Sequence, residues 1–137
     1  MSVQNEIESK VVSISRNAMA GISLDPFPPY PDGWIISGNP DHHAHNSFMG
    51  SIHVGVYEAS SSKLRLVDYP ADEFMMVLSG SVVITDDHGE RFSFFPGDCF
   101  ILVKGFNGSF EMKGLFRKLA VAAGSPDGTK VKWLDEA

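Results

Sequence analysis

The chain has 137 residues, which suits a single domain, and 43% of them are hydrophobic, enough to build a buried core. Eleven basic and seventeen acidic residues give a net charge of -6, which argues against a nucleic-acid partner or an anionic membrane because both require a basic surface. The one cysteine, Cys99, excludes an internal disulfide, and its place in the apolar run 99–103 predicts a buried, unreactive thiol. No stretch has the roughly 18 apolar residues needed to span a bilayer, and no signal peptide is apparent, so we expect a cytoplasmic protein.

Residues 1–33 are predicted to form an N-terminal arm, whose polar first ten residues we expect to be poorly ordered. Four of the eight prolines fall between residues 25 and 33. Because proline fixes φ and removes a backbone donor, they predict an extended arm without a helix. Phe27, Tyr30 and the nearby Trp34 would pack on the chain's own barrel or on a partner subunit. An exposed apolar arm is a liability on a monomer, so we predict a homodimer that weakens when residues 1–33 are deleted.

Residues 34–137 have the pattern of strands and turns. Short β-branched and aromatic runs are separated by glycines eight or nine residues apart, at Gly80, Gly89, Gly97, Gly105 and Gly114. Turn signals at this spacing are typical of an all-β sandwich or barrel. The sequence therefore predicts one all-β domain over residues 34–137, without a long helix.

Four residues of this domain carry a family resemblance. Glu73 and Gly80 fit the second half of the motif G-x5-H-x-H-x(3,4)-E-x6-G, and Gly97 and Gly105 fit the motif G-x5-P-x-G-x2-H-x3-N. The chain thus resembles the cupin superfamily, whose two conserved motifs these are. The resemblance implies a double-stranded β-helix, also called a jelly roll.

Flanking segments are similar to one branch of that superfamily, which is named after ureidoglycine aminohydrolase and includes the cupin of ethanolamine utilisation. The segments are Gly-Asn-Pro at 38–40, Val-Gly-Val-Tyr-Glu at 54–58, residues 103–111 and the pair Arg117-Lys118. The resemblance covers the chain from about residue 34 to residue 121. It is specific for the fold and says little about activity, because many members of this branch have no assigned reaction.

The histidine ligands that cupins use for a metal are missing from this chain. The two histidine positions of the first motif fall on Leu66 and Asp68 or on Val67 and Tyr69, while in the second motif Val103 replaces the proline, Gly108 the histidine and Met112 the asparagine. Glu73 and Asp68 alone are a poor match for a transition metal, which prefers imidazole or thiolate ligands. We therefore expect no motif-bound metal and no other cofactor.

The resemblance and the strand pattern together predict a mostly apolar pocket around Glu73. Met75 and Val77 share its parity on the strand and should face the same way, which in cupins is into the barrel. A carboxylate there needs a hydrogen-bond donor or a counter-charge, or it takes up a proton, and Tyr69, Arg117 and Lys118 are the candidate partners. The predicted pocket residues are Leu66, Asp68, Tyr69, Glu73, Met75, Phe110, Met112, Arg117 and Lys118.

A second cluster, Asp-His-His-Ala-His-Asn, occupies residues 41–46. His43 and His45 lie two residues apart and would project together from an extended segment, so they could supply two metal ligands. His53 could in principle enter a site from a neighbouring strand. The favoured interpretation of the cluster, His42 included, is a polar surface loop whose histidines titrate freely.

The expected function is binding of a small polar or anionic metabolite in the barrel. One alternative is an enzyme acting on a small nitrogenous or carbonyl compound, with Glu73 as general acid or base and Lys118 or Arg117 holding an anion. Another is a structural subunit with a vestigial pocket. If Glu73 serves a ligand, Glu73→Gln should spare folding; if it is half of a buried ion pair, the change should cost about 3–5 kcal/mol. We prefer the ligand role.

Overall fold

A computed structural model describes residues 10–123, and in this part of the chain almost all regular structure is β. The ends of the predicted arm and barrel domain, residues 1–9 and 124–137, lie outside the described residues. The elements, in chain order, are α1 (Arg16–Met19), β1 (Asp25–Pro26), a 3-10 turn (Asp32–Trp34), β2 (Ile35–Gly38), β3 (His42–Met49), β4 (Ile52–Ala59), β5 (Ser62–Leu66), β6 (Glu73–Asp86), β7 (Arg91–Phe94), β8 (Cys99–Leu102) and β9 (Gly108–Ala123).

Two long antiparallel strands, β6 and β9, hold the fold together because each takes part in two layers. The second half of β6 pairs with β7 and the first half of β9 pairs with β5, which continues to β2. The first half of β6 pairs with β8, and the second half of β9 pairs with β4, which continues to β3 and β1. The layers face each other around one core, which is the predicted jelly roll.

The bend between the layers lies at Gly80 and Gly114. The register between β6 and β9 shifts on both sides of Ser79, and both glycines have positive φ, 68° and 69°. A Cβ on Gly80 would lie 2.6 Å from the carbonyl oxygen of Lys113. Only glycine combines that dihedral with so close an approach of two backbones, so this position allows the strands to change layer.

Strand alternation places the apolar side chains in the core. On β6, Glu73, Met75 and Val77 are buried while Phe74 is exposed, as the shared parity predicted. Cys99 does not follow the prediction of a buried thiol: it is exposed. In β8 the inward positions are those of its neighbours, so an apolar run alone could not show which face Cys99 occupies.

The arm packs on the chain's own barrel. Phe27 contacts Tyr57 with ring centroids 5.7 Å apart, and Tyr30 and Trp34 pack against the main core. The arm is extended at β1, but it also contains the short helix α1, which the proline content did not predict. The Ser15 hydroxyl caps this helix by accepting a hydrogen bond from the Ala18 N–H. Within residues 10–123, no helix has the length and apolar character required to cross a membrane.

Candidate functional site

The candidate site is built around the Glu73 carboxylate at the start of β6. Its side chain is 1% exposed, and both oxygens have partners. The Tyr69 hydroxyl donates to Oε1 at 2.8 Å, and the Lys118 ammonium donates to Oε2 at 2.9 Å. Two of the three candidate partners therefore bind Glu73 together, and each carboxylate oxygen accepts a hydrogen bond from a protein donor.

Lys118 connects this buried carboxylate to a half-open cavity. It lies on β9 and is paired in register with Val77 of β6. Its ammonium is 3.6 Å from the Met75 sulfur, and it lies 5.7 Å and 5.6 Å from the ring centroids of Tyr57 and Phe110. Such cation–π contacts stabilise a desolvated cation. An ammonium has three N–H donors, so beyond Glu73 and Met75 one remains for the cavity.

The cavity between the two layers is small and lined mainly by aromatic and aliphatic side chains. Its free volume is about 30 Å³, room for about two water molecules. Lys118 contributes the positive charge, whereas Glu73 does not line the cavity. The lining residues are Tyr30, Trp34, His42, Tyr57, Leu64, Leu66, Tyr69, Met75, Leu102, Phe110 and Lys118.

Three rings line one side of this half-open cavity: Tyr30 of the arm, Trp34 of the 3-10 turn and His42 of β3. Tyr30 is stacked on His42, with centroids 4.3 Å apart and planes 13° from parallel, and it faces Trp34 at 6.3 Å and 24°. Phe27 packs on His42 from another side, at 4.7 Å. The arm therefore supplies part of the cavity wall, a role that its aromatic residues suggested only as packing on an unspecified surface.

His42 belongs to this wall, and the prediction of a freely titrating surface loop was wrong for it. Residues 42–49 form β3, and alternation turns His42 inward, where it is 6% exposed. Burial, together with the nearby Lys118 charge, lowers the pKa of His42 to about 4, although its Nδ1 lies 3.3 Å from the Pro28 carbonyl oxygen. His42 is therefore neutral at physiological pH.

Burial, followed in size by the Glu73 charge, raises the pKa values of the cavity phenols Tyr30, Tyr57 and Tyr69. These three side chains therefore stay protonated and act as neutral hydrogen-bonding groups. Tyr57 already donates its hydroxyl proton to the Asn46 side chain at 2.9 Å. The fixed charges of the site are those of Lys118 and Glu73.

Arg117 does not reach the cavity, because neighbouring residues of a strand face opposite sides of the sheet. Its Nε donates to Glu58 at 2.8 Å and its guanidinium donates to the Met19 carbonyl oxygen at 3.3 Å, on the side covered by α1. The guanidinium also occupies the space in which a side chain on Gly21 would lie. Of the Arg117-Lys118 pair, only Lys118 is a pocket residue.

The other predicted pocket residues separate into three groups. Leu66, Tyr69, Met75 and Phe110 line the cavity with Lys118, and Met112 is buried in the adjoining core. Asp68 lies away from it, exposed in the loop after β5, where its N–H donates to the Asn107 side chain. The prediction omitted Tyr30, Trp34, His42 and Tyr57. The clustering of aromatic residues in the arm was the available signal for the first two.

The motif positions do not fit a transition metal. Leu66 is an apolar wall residue, Asp68 faces solvent, Tyr69 is bonded to Glu73, and Gly108 has no side chain. Among residues 10–123 no three His, Cys, Asp or Glu side chains come together as a group able to hold a metal ion. His43 and His45 lie on the other face of β3 from His42, and His53 is buried in β4.

Comparison with known proteins gives the family. The model of the EutQ-like cupin domain matches residues 46–120, more than half of the chain. No curated protein sequence matches significantly.

Solved structures share the fold at low sequence identity. A protein of unknown function of the DUF861 family from Pseudomonas syringae pv. tomato is 21% identical, with a TM-score of 0.68. The alignment covers 73% of this chain and 44% of that one, so the chain spans less than half of that protein. A putative ethanolamine utilization protein Q from Salmonella typhimurium is 21% identical over 69% of this chain and 76% of its own, with a TM-score of 0.56. The EutQ protein of Clostridium difficile is 18% identical over 71% and 80%, with a TM-score of 0.55. With the predicted resemblance thus confirmed, the chain belongs to the family of EutQ-like cupin domains.

Proposed function

We propose that this protein binds a small anionic metabolite in the barrel and that the Lys118 ammonium holds the anionic group. The observation that carries the proposal is the position of Lys118, which lines an aromatic cavity while Glu73 fixes its ammonium at 2.9 Å. A cation in an apolar cavity is costly unless it is paired. The same cation gives a charge-assisted hydrogen bond to an acceptor that enters the cavity.

The geometry favours Lys118 over Glu73 as the group that meets the ligand. Both Glu73 oxygens already accept hydrogen bonds from protein donors, and Glu73 does not line the cavity. A general acid or base has to come within hydrogen-bonding reach of the reacting group. We therefore assign Glu73 the role of a buried counter-ion that orients Lys118, rather than that of an acid–base catalyst.

The cavity has to enlarge before a metabolite can enter. Ligand pockets usually have volumes of about 300–1,000 Å³, whereas the free volume here is about 30 Å³. Tyr30 is the wall residue that belongs to the arm, and the backbone of the arm is bonded to β3 through the short segment 25–27. We propose that the ligand displaces the Tyr30 side chain.

The homodimer expected from the arm remains a proposal, but the main reason for it, apolar rings exposed on the arm, is weaker. Phe27, Tyr30 and Trp34 already pack against the chain's own barrel. The arm therefore does not require a partner subunit to cover these rings. Light scattering of the full chain and of a chain lacking residues 1–33 would measure whether a dimer exists and whether the arm holds it.

The binding function is tested with a panel of small carboxylates, such as acetate, pyruvate and benzoate, and their uncharged amides. Saturation-transfer NMR would be recorded on the wild type, Lys118→Met and Lys113→Met. Lys113 is a matched control because it lies on the same strand and is exposed. We expect at least one carboxylate to bind the wild type and Lys113→Met but not Lys118→Met. Carboxylates that bind none of the proteins, or all three alike, would contradict the proposal.

A further inference from the structure

Tyr30 is the ring shared by two stacked pairs. Its phenol lies 4.3 Å from the His42 ring and 6.3 Å from the Trp34 ring, and both interplanar angles are below 25°. All three rings line the cavity that contains Lys118. If Tyr30 moved away, it would leave a slot for one ring, bordered by the His42 and Trp34 rings with which Tyr30 now stacks.

Few polar contacts hold Tyr30 in this position. In the described part of the chain no hydrogen bond to its hydroxyl is present. The nearby backbone is tied by the Phe27 N–H, which donates to the His42 carbonyl oxygen at 2.9 Å, and by the Pro28 carbonyl oxygen at His42 Nδ1. Prolines have no N–H to contribute. Departure of Tyr30 therefore breaks ring contacts and few hydrogen bonds.

We propose that the ligand is a planar aromatic or heteroaromatic carboxylate whose ring takes the place of the Tyr30 phenol between His42 and Trp34. This inference rests on the proposed function and names its ligand class. The vacated position fits one six-membered ring, since it holds one now. The remaining free volume, about 30 Å³ beside Lys118, has room for about two water-sized atoms, which suits the two oxygens of a carboxylate.

The walls discriminate against other ligand classes. Stacked aromatic pairs are stabilised by roughly 0.5–1.5 kcal/mol beyond their buried area, which a puckered aliphatic ring between His42 and Trp34 would not gain. A cationic ligand would be repelled by Lys118. An uncharged amide would lose the charge-assisted part of its hydrogen bond to the ammonium. Leu64 and Leu102, which also line the cavity, have no hydrogen-bonding group for a further polar substituent of the ligand.

Tyr30 is then a built-in competitor of the ligand. The apparent affinity equals the intrinsic affinity multiplied by the fraction of molecules in which Tyr30 is out of the slot. Removing the phenol removes this competition, so a shortened side chain should strengthen binding. Loss of an ordinary pocket residue would weaken binding instead, which makes the direction of the effect diagnostic.

The experiment is isothermal titration of benzoate, cyclohexanecarboxylate and benzamide into the wild type, Tyr30→Ala, Trp34→Leu and Lys118→Met, with Lys113→Met as control. We expect benzoate to bind Tyr30→Ala at least about tenfold more tightly than the wild type. Cyclohexanecarboxylate and benzamide should each bind Tyr30→Ala at least about tenfold more weakly than benzoate does. Trp34→Leu removes one of the two stacking rings and should weaken the binding of benzoate but not that of cyclohexanecarboxylate. Lys113→Met should bind all three ligands as the wild type does.

Three results would overturn the inference. Equal benzoate affinity for the wild type and Tyr30→Ala would show that the phenol does not occupy the ligand's place. Equal binding of cyclohexanecarboxylate and benzoate, lost in Lys118→Met, would reject the planar ring and leave the proposed function intact. Binding of no carboxylate by either protein would reject both. If Tyr30→Ala fails to fold, Trp34→Leu decides: unchanged benzoate affinity in it contradicts the stacked slot.

Discussion

Arg117 and Lys118 are consecutive residues of β9, yet they form ion pairs on opposite sides of one sheet. Lys118 binds Glu73 inside the barrel, where the side chains are 13% and 1% exposed; Arg117 binds Glu58 on the outer side, where both side chains are 14% exposed. The two pairs differ in burial at the carboxylate. The outer pair also ties α1 to the barrel through the Met19 carbonyl oxygen. The two ion pairs are chemically similar but have different roles. The inner pair places a positive charge in the cavity, whereas the outer pair holds α1 against the barrel.

The largest expected effect comes from breaking the inner pair. Glu73→Gln keeps the shape of the side chain but leaves the Lys118 ammonium without a counter-charge in a nearly buried site. We expect a loss of about 3–5 kcal/mol in the free energy of unfolding, measured by urea denaturation. This departs from the ligand role first preferred for Glu73, because both of its oxygens are engaged by the protein.

The matched control for this change removes both charges. Glu73→Met combined with Lys118→Met should be clearly more stable than Glu73→Gln alone, since apolar replacements of a buried pair are often neutral or stabilising. A loss below about 1 kcal/mol for Glu73→Gln would mean that the inner pair contributes no more to stability than the outer one, which would contradict the distinction between the two pairs.

The next-largest expected effect is a dependence of stability on pH, caused by His42 on the inner side of the barrel. The pKa of His42 is lowered to about 4 in the folded protein, whereas the ordinary value is about 6.5. The unfolded chain therefore binds more protons between these values, and stability falls as the pH drops from about 6.5 to about 4. The loss should reach at most about 3 kcal/mol.

His42→Phe keeps a ring against Tyr30 and removes the titrating group. Urea denaturation at several pH values should show a shallower loss of stability below pH 6.5 for this variant than for the wild type. His88, which is exposed in the β6–β7 turn, supplies the control. Its replacement by Phe should leave the wild-type slope unchanged, and identical slopes for all three proteins would contradict a buried, neutral His42.

The smallest expected effect comes from breaking the outer pair. Glu58→Gln leaves Arg117 partly exposed to solvent and still bound to the Met19 carbonyl oxygen. Because both side chains are only 14% exposed, solvent screens this pair in part, and we expect a loss of about 1–2 kcal/mol, smaller than that of Glu73→Gln. A loss as large as that of Glu73→Gln under the same urea conditions would show that burial does not separate the two pairs.

Much of the fold could be predicted from the sequence. Regular glycine spacing and alternating apolar residues are local signals, and they were sufficient for an all-β chain in which Glu73, Met75 and Val77 share a face. That this face points into the barrel was implied by the family resemblance. The helix at Arg16–Met19 escaped because the prolines that argue against helix come only after it, from Pro26 onward. The exposure of Cys99 escaped because a run of apolar residues has no visible parity.

The site was less predictable because it depends on contacts between distant segments. Lys118 and Arg117 were both left as candidates. Lys118 has the parity of Phe110 and Met112, a signal that could have separated the two, but a bulge between them could have reversed the phase. Tyr30 and His42 meet only because the arm folds back over β3, and no local pattern shows that. Tyr69 and Lys118 were therefore among the partners of Glu73 predicted from the sequence, whereas the contribution of Tyr30 and His42 to the cavity wall was not predicted.

The most direct test of the central claim observes the Lys118 ammonium itself. Protein labelled with ¹⁵N at the lysine side chains would be titrated with benzoate and followed by NMR, and the signal absent from Lys118→Met identifies Lys118. The account predicts a saturable shift of this one signal while those of exposed lysines such as Lys104 and Lys113 stay in place. An unmoved Lys118 signal under conditions in which benzoate binds, or equal shifts of all lysine signals, would contradict it.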